Sequence, residues 1–331
     1  MSERHRALVA TEEDGRSRAD FEELGEGDLP DGDVTVRVRY SSLNYKDGLA
    51  VTGRGKIVRS FPMVLGIDLA GEVERSDSPD WHPGDQVVVT GWGLSETHPG
   101  GFTQRQRLRS EWLVPLPDTM SAEQAMVVGT AGFTAMLCVM ALEDGGVTPE
   151  RGPVVVSGAA GGVGSVACTL LAALGYEVTA STGRPAAHDF LSGLGVAGFV
   201  DRAELAQSGG PPLGKATWAG AVDTVGSTTL ATILSRTSPR GTVAACGLAG
   251  GSDLPTTVLP FILRNVRLQG VDSVNCPADV RRGAWRRLAG VLTDERLAAV
   301  GRTEPLSAVP ELAEQILAGQ VLGRVAIDVD D

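Results

Sequence analysis

The chain has 331 residues, of which 42% are hydrophobic and 21% are charged. This length and apolar fraction predict two globular domains, or one large domain, and argue against a disordered chain. The formal net charge of −12 argues against general coating of DNA or RNA, because that mode of binding depends on cations that displace counterions.

The first third of the chain is predicted to be rich in β-strands. Apolar and polar residues alternate over 34–40, as expected for a half-buried strand, and strands also fit 64–74 and 86–90. The sequence Pro-Gly-Asp at 83–85 predicts a turn directly before the last of these strands.

The pattern changes at Ser121, a helix N-cap residue, after which strand-like and helix-like segments alternate to about residue 273. The predicted strands cover 154–157, 177–182, 198–200, 220–224, 242–246 and 268–271. The predicted helices cover 121–141, 162–174, 185–194, 227–237 and 258–264. Such alternation predicts parallel βαβ units, and therefore an α/β fold with a doubly wound parallel sheet.

The last part of the chain predicts two helices, over 278–292 and 308–318. A final strand is predicted over 323–329 and is expected to return to the β-rich first part. No internal repeat and no low-complexity linker separates these segments in the sequence.

The first fifteen residues lack the apolar core of a signal peptide, so we expect a cytoplasmic protein. Two uncharged runs, 125–142 and 153–176, are long enough to span a bilayer. The second contains a glycine-rich turn, which favours a buried strand followed by a buried helix, and we expect no membrane contact. The four cysteines form no C-x-x-C motif, which argues against a zinc cluster or a disulfide framework.

A glycine-rich loop joins the strand at 154–157 to the helix at 162–174, which is the context of a dinucleotide-binding fingerprint. Ala159 replaces the first glycine of the usual pattern. Gly161 would let the backbone approach a pyrophosphate, and Gly164 would let the helix pack on the strand. A tight turn without a ligand is the alternative. We predict nucleotide binding by the loop residues Ala160, Gly161, Gly162, Val163 and Gly164.

The end of the next strand indicates which dinucleotide binds. NAD sites usually carry an acid about 20 residues after the glycines, to bind the ribose 2′-hydroxyl. Here residues 181–184 are Ser-Thr-Gly-Arg, without an acid before Asp189. Hydroxyls and a guanidinium suit a 2′-phosphate, so NADP(H) is predicted. The candidate residues are Ser181, Thr182, Gly183 and Arg184, with Arg202, after the following strand, as a further candidate for the adenosine end.

Several catalytic motifs are absent from the sequence. It contains no G-x-S-x-G, no H-E-x-x-H and no G-x-x-x-x-G-K-[ST]. These absences argue against an α/β-hydrolase, a zinc protease and a P-loop NTPase. The four histidines are scattered and are predicted to be surface residues rather than metal ligands.

A combination of motifs resembles the medium-chain dehydrogenase/reductase superfamily. The motifs are Leu43-Asn44-Tyr45-Lys46-Asp47, Pro62-x-x-x-Gly66-x-Asp68-x-x-Gly71, Pro83-Gly84-Asp85-x-Val87 and the loop at 158–164. The resemblance implies a GroES-like β-rich catalytic domain over 1–120 and 276–331 and a Rossmann NADP(H)-binding domain over 121–275. Zinc members carry Gly-His-Glu where this chain has Gly66-Ile67-Asp68. The resemblance is therefore to the zinc-free branch of quinone and enoyl reductases, and no metal is predicted.

Longer runs resemble the NADPH-dependent acrylyl-CoA reductases of that branch, a family in which proteins are often named quinone oxidoreductases. The runs are 52–57, 129–135, 244–251, 254–258 and 260–274. The resemblance covers nearly the whole chain apart from the first 30 residues, and it departs at Thr182, where a serine is usual, and at Asp201. The family implies a homodimer.

The resemblance implies that NADPH delivers a hydride to the β-carbon of an α,β-unsaturated acyl-CoA such as acrylyl-CoA, after which the α-carbon takes a proton. Related enoyl reductases use a tyrosine from the region of Tyr45. Tyr45 is therefore the first candidate for the proton donor or for a hydrogen bond to the enolate. Packing beside the nicotinamide is its alternative role. Asn44 is the second catalytic candidate, whereas Asp47 and Asp68 are expected to be structural.

Further cofactor contacts implied by the matched motifs are Thr130, Thr134, Leu248, Ile262 and Ser273. Arg324, near the end of the sequence, is a candidate for contact with a cofactor phosphate, with a surface role as the alternative. A CoA substrate requires cations, and residues 264–302 contain eight arginines and four acids. Arg282 and Arg286 share one helix face and are candidates for binding CoA phosphates, with a solvated helix face as the alternative.

Two other functions stay open at this point. The first is NADPH:quinone oxidoreduction, which would need a flat apolar pocket and no arginine cluster. The second is a nucleotide-binding protein without turnover, with a structural or nucleic-acid-binding role. The net charge of −12 and the presence of Tyr45 count against the second.

Overall fold

The computed structural model describes residues 4–331, which divide into two compact units. Unit 1 contains the described residues up to Thr130, Val274–Ala289 and Gly301–Asp331. Unit 2 contains Ala131–Ser273 and Gly290–Val300. These bounds differ from the predicted domains of 1–120 with 276–331 and of 121–275, because residues 121–130 and 274–275 group with unit 1 and residues 290–300 group with unit 2.

The strands, in chain order, are β1 (His5–Glu13), β2 (Arg16–Leu24), β3 (Val34–Leu43), β4 (Met63–Val64), β5 (Asp68–Ser76), β6 (Gln86–Thr90), β7 (Arg105–Leu108), β8 (Val114–Pro115), β9 (Val154–Val156), β10 (Val178–Thr182), β11 (Gly198–Asp201), β12 (Trp218–Asp223), β13 (Thr237–Ala245), β14 (Arg267–Gly270), β15 (Gly301–Pro305) and β16 (Arg324–Asp328). The α-helices are α1 (Tyr45–Val51), α2 (Ala122–Asp144), α3 (Gly162–Ala173), α4 (His188–Gly193), α5 (Arg202–Leu205), α6 (Ser227–Arg236), α7 (Leu259–Arg264), α8 (Ala278–Val291), α9 (Asp294–Val300) and α10 (Val309–Leu317).

Unit 1 is built mainly from antiparallel strands. One sheet has the order β15-β16-β3-β5-β6-β8, with β7 also paired to β3, and a smaller sheet has the order β2-β1-β4. The alternation along β3 buries Val36 and Val38 and leaves Arg37 between them exposed, as its sequence predicts. These valines join the hydrophobic core of the unit. The prediction of a β-rich GroES-like part is confirmed.

The strand predicted over 64–74 is interrupted at Gly66. The chain pairs first as β4 and again as β5, and Gly66 between them has a φ of +96°. A Cβ at Gly66 would lie 2.6 Å from the backbone nitrogen of Phe102, so only glycine fits this turn. The turn determines that β5 begins at Asp68.

Unit 2 contains the parallel sheet, in the order β11-β10-β9-β12-β13-β14. Each pair of neighbouring strands in this order is parallel. The chain runs outward in one direction from β9 to β11 and in the other from β12 to β14, so the sheet is doubly wound. The three valines of β9 are completely buried, as expected for a central strand covered on both faces. The predicted Rossmann fold is confirmed.

Several elements were not predicted from the sequence. They are the hairpin of β1 and β2, the strands β7, β8 and β15 and the helices α1, α5 and α9. The helix α1 has seven residues, which is too short for an apolar face to repeat along the sequence. Its position is determined by hydrogen bonds to residues far along the chain, as described below.

The helix α2 is long and apolar enough to cross a membrane, judged by length and composition alone. Within its most apolar window of 18 residues, 83% of the positions are buried inside the protein, as in a core helix. The second uncharged run noted in the sequence is divided between β9 and α3.

Candidate active site

A buried carboxylate, Asp68, organises a polar cluster in unit 1. Its Oδ2 accepts hydrogen bonds from Ser42 Oγ at 2.6 Å, Asn44 Nδ2 at 2.9 Å and Thr130 N at 2.8 Å. Its Oδ1 accepts a hydrogen bond from the Thr130 hydroxyl. Because Asp68 is completely buried, these four donors replace the water that a carboxylate would otherwise need.

The cluster depends on a break in α2 at Gly129. This residue has a φ of 51° and a ψ of −162°, which are not helical. The break places the backbone N–H of Thr130 at the start of a helical segment, where Asp68 accepts its hydrogen bond as a capping carboxylate does. A Cβ at Gly129 would lie 2.6 Å from Ser42 Oγ and 2.8 Å from Asp68 Oδ2, so the cluster closes only around glycine.

A second buried carboxylate, Asp47, holds the start of α1. Its Oδ2 accepts hydrogen bonds from the backbone nitrogen of Asn44 at 2.8 Å and from Asn44 Nδ2 at 3.1 Å. Its Oδ1 accepts one from the backbone nitrogen of Ile67 at 3.0 Å. Burial, reinforced by the nearby charge of Asp68, raises the pKa of Asp47 to about 7.

Tyr45 is the first residue of α1, directly after the N-cap Asn44. Its side chain is 52% exposed, whereas Asn44 is 7% exposed. Of the two catalytic candidates, Tyr45 therefore presents its side chain to solvent, and Asn44 lies inside the polar cluster. Because Asp47 and Asp68 hold Asn44, the backbone that carries Tyr45 has a defined position.

Arg324 completes the polar cluster from β16. Its guanidinium donates hydrogen bonds to the carbonyl oxygens of Leu43 at 2.9 Å and Val127 at 3.0 Å, to Ser42 Oγ at 3.0 Å and to Asn44 Oδ1 at 3.3 Å. Burial lowers the pKa of Arg324, and the charges of the two aspartates oppose that shift. The structure does not support the prediction that Arg324 contacts a cofactor phosphate, because its guanidinium is enclosed within unit 1.

The glycine loop of unit 2 has the geometry that a phosphate site requires. Gly158 has a φ of +59°, and a Cβ at Gly164 would lie 2.3 Å from the carbonyl oxygen of Gly158. Gly161 is the N-cap residue of α3, and the first turn of this twelve-residue helix contains no acidic residue. The N–H groups at the start of α3 can therefore receive an anion.

An acid that sequence reasoning did not select, Asp223, supports this loop. Its Oδ1 accepts a hydrogen bond from Ser157 Oγ at 2.6 Å, and its Oδ2 accepts one from the backbone nitrogen of Gly226 at 2.8 Å. Asp223 is completely buried, and burial raises its pKa. The bonds join the ends of β9 and β12, where the winding of the sheet reverses. The sequence signal that could have identified Asp223 is its place as the one acidic residue at the end of the apolar strand β12.

The residues predicted to bind the 2′-phosphate lie around the end of β10. Ser181 and Thr182 end the strand, and the Thr182 hydroxyl accepts a hydrogen bond from the backbone nitrogen of Arg184 at 3.1 Å. Burial and the positive charge of Arg202 both lower the pKa of Arg184. The Arg202 guanidinium covers Gly183, since a Cβ there would lie 2.9 Å from Arg202 Nε.

The side chain of Asp201, next to Arg202, caps α5, where it accepts a hydrogen bond from the backbone nitrogen of Ala203 at 2.7 Å. The structure thus places two guanidiniums near each other at the strand ends, and the adjacent acid is engaged in a helix cap. Such an arrangement favours an anion.

A cavity of about 400 Å³ lies at the carboxyl ends of β13 and β14. Its lining residues are Ala245, Cys246, Gly247, Leu248, Gly270, Val271 and Asp272. Ligands of doubly wound sheets bind at this end of the strands. The predicted contact Leu248 therefore lies in a suitable place, and Ser273 directly follows the lining. Two other predicted cofactor contacts are not among the residues that line this cavity. Thr134 is buried, with 5% of its surface exposed, and Ile262 on α7 is 68% exposed.

The two arginines predicted to bind CoA, Arg282 and Arg286, are exposed on α8. Their neighbour Arg281 is buried instead. It donates hydrogen bonds to the carbonyl oxygens of Thr90 at 2.6 Å and Val274 at 3.2 Å, and its guanidinium lies 4.7 Å from the centre of a Trp92 ring. Arg281, one of the eight arginines counted over 264–302, therefore holds the fold together and is not available to a ligand.

A β-rich unit with a buried polar cluster and a doubly wound unit with a glycine loop define the architecture of a medium-chain dehydrogenase/reductase. The family Alcohol dehydrogenase GroES-like domain matches residues 30–118, and the family Zinc-binding dehydrogenase matches residues 162–290. Despite the second description, no group of three or more His, Cys, Asp or Glu side chains that could hold a metal ion is present within residues 4–331.

Similar proteins cover almost the whole chain. Acrylyl-CoA reductase AcuI from Ruegeria pomeroyi is 52% identical over 96% of this chain and 97% of its own length. The crystal structure of YhdH from Escherichia coli K-12 with bound NADPH is 52% identical, with a TM-score of 0.95 over 98% of this chain and 99% of that one. YhfP from Bacillus subtilis with NAD bound is 42% identical, with a TM-score of 0.96 over 99% and 100%. The chain belongs to the medium-chain dehydrogenase/reductase superfamily, in the family that includes AcuI, YhdH and YhfP.

Proposed function

We propose that this protein is an NADPH-dependent reductase that converts a short α,β-unsaturated acyl-CoA, acrylyl-CoA, to the saturated propionyl-CoA. The observation that carries the proposal is the 52% identity to an acrylyl-CoA reductase over 96% of the chain, which includes both units. The exposed Tyr45 in unit 1 and the paired arginines in unit 2 are the chemical groups that this reaction needs.

The residues of unit 2 fit NADPH. The N–H groups at the start of α3, with no acid in its first turn, suit the pyrophosphate. Arg184 and Arg202 suit the 2′-phosphate, with the hydroxyls of Ser181 and Thr182 beside them. Bound NADPH supplies a hydride to the reaction. YhdH, which is 52% identical to this chain, was crystallised with NADPH, and YhfP, which is 42% identical, was crystallised with NAD. The two arginines agree with NADPH as the cofactor of this chain.

Tyr45 is proposed to act on the substrate. Its hydroxyl has no hydrogen-bond partner among residues 4–331, so it is free to donate one to a bound thioester. Negative charge develops on the thioester oxygen as the β-carbon accepts hydride, and a donor there stabilises the transition state more than the ground state. Tyr45 either holds this oxygen or delivers the proton that the α-carbon finally takes. Asn44, enclosed beside the two aspartates, positions Tyr45.

The reaction is tested by mixing purified protein with NADPH and each of acrylyl-CoA, crotonyl-CoA and a simple quinone, and following the loss of NADPH absorbance. Fast turnover with acrylyl-CoA and slow turnover with the other two supports the proposal. Turnover of the quinone without turnover of either thioester contradicts it and favours quinone reduction. Binding of NADPH without any oxidation contradicts it and favours a protein without catalytic activity.

The role of Tyr45 is tested with Tyr45→Phe, which removes only the hydroxyl. Loss of one donor to a developing oxyanion lowers kcat about 100-fold, while the KM for acrylyl-CoA changes little. The matched control is Tyr40→Phe, which makes the same change on β3 and is expected to keep wild-type kinetics. Wild-type kcat in Tyr45→Phe would show that the tyrosine only packs at the site.

We infer that catalysis does not use zinc. The support is chemical: Ile67 stands where zinc members carry a histidine ligand, and both oxygens of Asp68 accept hydrogen bonds from Ser42, Asn44 and Thr130. Elemental analysis of fully active protein, before and after treatment with a strong chelator, tests this inference. Stoichiometric zinc that is lost together with activity would contradict it.

A homodimer and a cytoplasmic location are also part of the proposal. Val258, Ile262 and Leu263 are 63%, 68% and 64% exposed, beside or on α7. The strand β14 lies at the end of the parallel sheet. Exposed apolar side chains and an unpaired strand edge are features that a second copy of the chain would cover. The mass of the native protein in solution, measured by light scattering, tests the dimer.

A further inference from the structure

We propose that a basic loop in unit 1, residues 54–59, binds the phosphates of the substrate's coenzyme A. This inference rests on the proposed function and names the part of the substrate site that recognises the CoA portion of the thioester. The loop has the sequence Arg54-Gly55-Lys56-Ile57-Val58-Arg59. It follows α1, the helix that begins with Tyr45.

The charge of this segment departs from that of the whole chain. The chain carries a net charge of −12, yet residues 48–67 contain three cations and no Asp or Glu. A negatively charged protein repels CoA, whose phosphates are anionic, unless it offers a local positive surface. The basic loop is such a surface, close in sequence to the candidate catalytic tyrosine.

The loop presents its cations from a fixed backbone. Ile57 and Val58 pack against the hydrophobic core of unit 1, whereas Lys56 and Arg59 on either side of them are exposed. The backbone nitrogen of Arg59 donates a hydrogen bond to the carbonyl oxygen of Glu96 at 2.9 Å. Because the backbone is already ordered, less conformational entropy is lost when a ligand binds to it.

Two of the three cations are available to a ligand. Arg54 forms an ion pair with Glu314 at 2.6 Å. Lys56 and Arg59 have no acidic partner among residues 4–331. Some other cations of unit 1 are paired, as Arg39 is with Asp330 at 3.1 Å. Lys56 and Arg59 are therefore proposed as the phosphate-binding pair.

A chain of contacts joins the basic loop to Tyr45. Lys46, the residue after Tyr45, forms an ion pair with the side chain of Glu96, and the carbonyl oxygen of Glu96 accepts the hydrogen bond from Arg59. The loop is thus beside the start of α1 but does not occupy it. A CoA thioester has its reactive carbonyl at one end and its phosphates at the other. It therefore needs a phosphate-binding surface that lies beside the catalytic residue and not on it. A quinone has no phosphate and would not use the loop.

The competing surface is the exposed face of α8 with Arg282 and Arg286. Both surfaces are cationic, and only the loop is joined to Tyr45 by the contacts described above. The basic loop is therefore favoured, and the α8 arginines enter the test as an alternative.

The test compares Lys56→Gln/Arg59→Gln with Arg282→Gln/Arg286→Gln, which removes the same number of positive charges, and with Arg75→Gln, which removes one positive charge elsewhere in unit 1. Arg75 is exposed near the far end of β5, about 20 Å along the strand from Asp68. Each protein is assayed with acrylyl-CoA and with acrylyl-N-acetylcysteamine, a thioester that lacks phosphates. We expect the loop variant to raise the KM for acrylyl-CoA about tenfold, which corresponds to about 1.4 kcal/mol of binding. Its kcat/KM for the truncated thioester stays within twofold of wild type, and Arg75→Gln resembles wild type with both substrates.

Other outcomes overturn the inference. An unchanged KM for acrylyl-CoA in the loop variant does so, and a rise in the α8 variant instead assigns the phosphates to α8. An equal loss with both thioesters indicates damage to the fold and not to phosphate recognition. If wild-type protein turns over neither thioester, the proposed function fails by itself. Calorimetric titration of CoA into NADP⁺-loaded protein then tests the loop separately, and equal affinity in wild type and the loop variant overturns it.

Discussion

Replacement of Gly129 by alanine tests whether the polar cluster of unit 1 depends on the break in α2. The residue has a φ of 51° and a ψ of −162°, a region that is almost restricted to glycine. The added Cβ would lie 2.6 Å from Ser42 Oγ, 2.7 Å from Arg324 Nη2 and 2.8 Å from Asp68 Oδ2. Each atom belongs to a hydrogen bond of the cluster, so alanine cannot enter without displacing at least one of them.

The expected loss of stability has two parts. Alanine in this backbone conformation costs about 1–3 kcal/mol. Breaking one hydrogen bond to a buried charged group costs about 1.5–3 kcal/mol more. In a unit of this size each kcal/mol lowers Tm by about 2–4 °C, so we expect Gly129→Ala to lower the Tm of unit 1 by at least about 5 °C.

Differential scanning calorimetry measures this shift, with Gly15→Ala as the matched control. Gly15, in the turn between β1 and β2, also has a positive φ of 73°, but a Cβ there would meet none of the described residues within 4 Å. The loss of stability in Gly15→Ala therefore reports only the cost of placing alanine at a positive φ. Equal Tm values for the two variants would show that the cluster tolerates a Cβ at Gly129 and would refute the reasoning.

Three further predictions follow from the site. Arg184→Ala should raise the KM for NADPH about tenfold or more and leave the KM for NADH within twofold, because it removes a donor to the 2′-phosphate; steady-state kinetics with both cofactors measures this, and equal effects would contradict the assignment. The pKa of Asp47 is about 7 in the folded protein against an ordinary 3.8, so the folded state holds the proton more tightly and the wild-type free energy of unfolding should fall as pH rises from about 4 to 7. Asp47→Asn should flatten that slope in urea titrations across the same range, and an unchanged slope would assign it to another group. Ile262→Asp with Leu263→Asp should convert the proposed dimer to monomer in light scattering, and a persistent dimer would place the contact elsewhere.

The nucleotide unit could be predicted in detail because its signals are local. Each strand and helix of a parallel sheet is a contiguous segment, and Gly161 and Gly164 stand beside one another in the loop that they shape. The Ser-Thr-Gly-Arg sequence at 181–184 likewise comes directly after its strand. Local sequence therefore predicts the sheet, the glycine loop and the cationic end of the nucleotide site.

The polar cluster of unit 1 could not be predicted in this way. The sequence singled out Asn44 and Tyr45, and expected Asp47 and Asp68 only to be structural. It offered a phosphate contact or a surface role for Arg324, whereas the structure buries it against Ser42, which is 282 residues away in the sequence. The use of an arginine depends on which groups surround it, and for Arg324 these come from distant segments.

The sequence by itself determined the α/β class, the doubly wound sheet and the nucleotide-binding loop, since these follow from the periodicity and chemistry of neighbouring residues. The candidate tyrosine came from the resemblance of its motif to related enoyl reductases. The tertiary structure alone decided that Asp47, Asp68 and Arg324 enclose Asn44, and that Gly129 must remain without a side chain. The physical reason is desolvation: a buried charge is stable only where donors and acceptors from separate parts of the chain converge on it, and that convergence exists only in the folded protein.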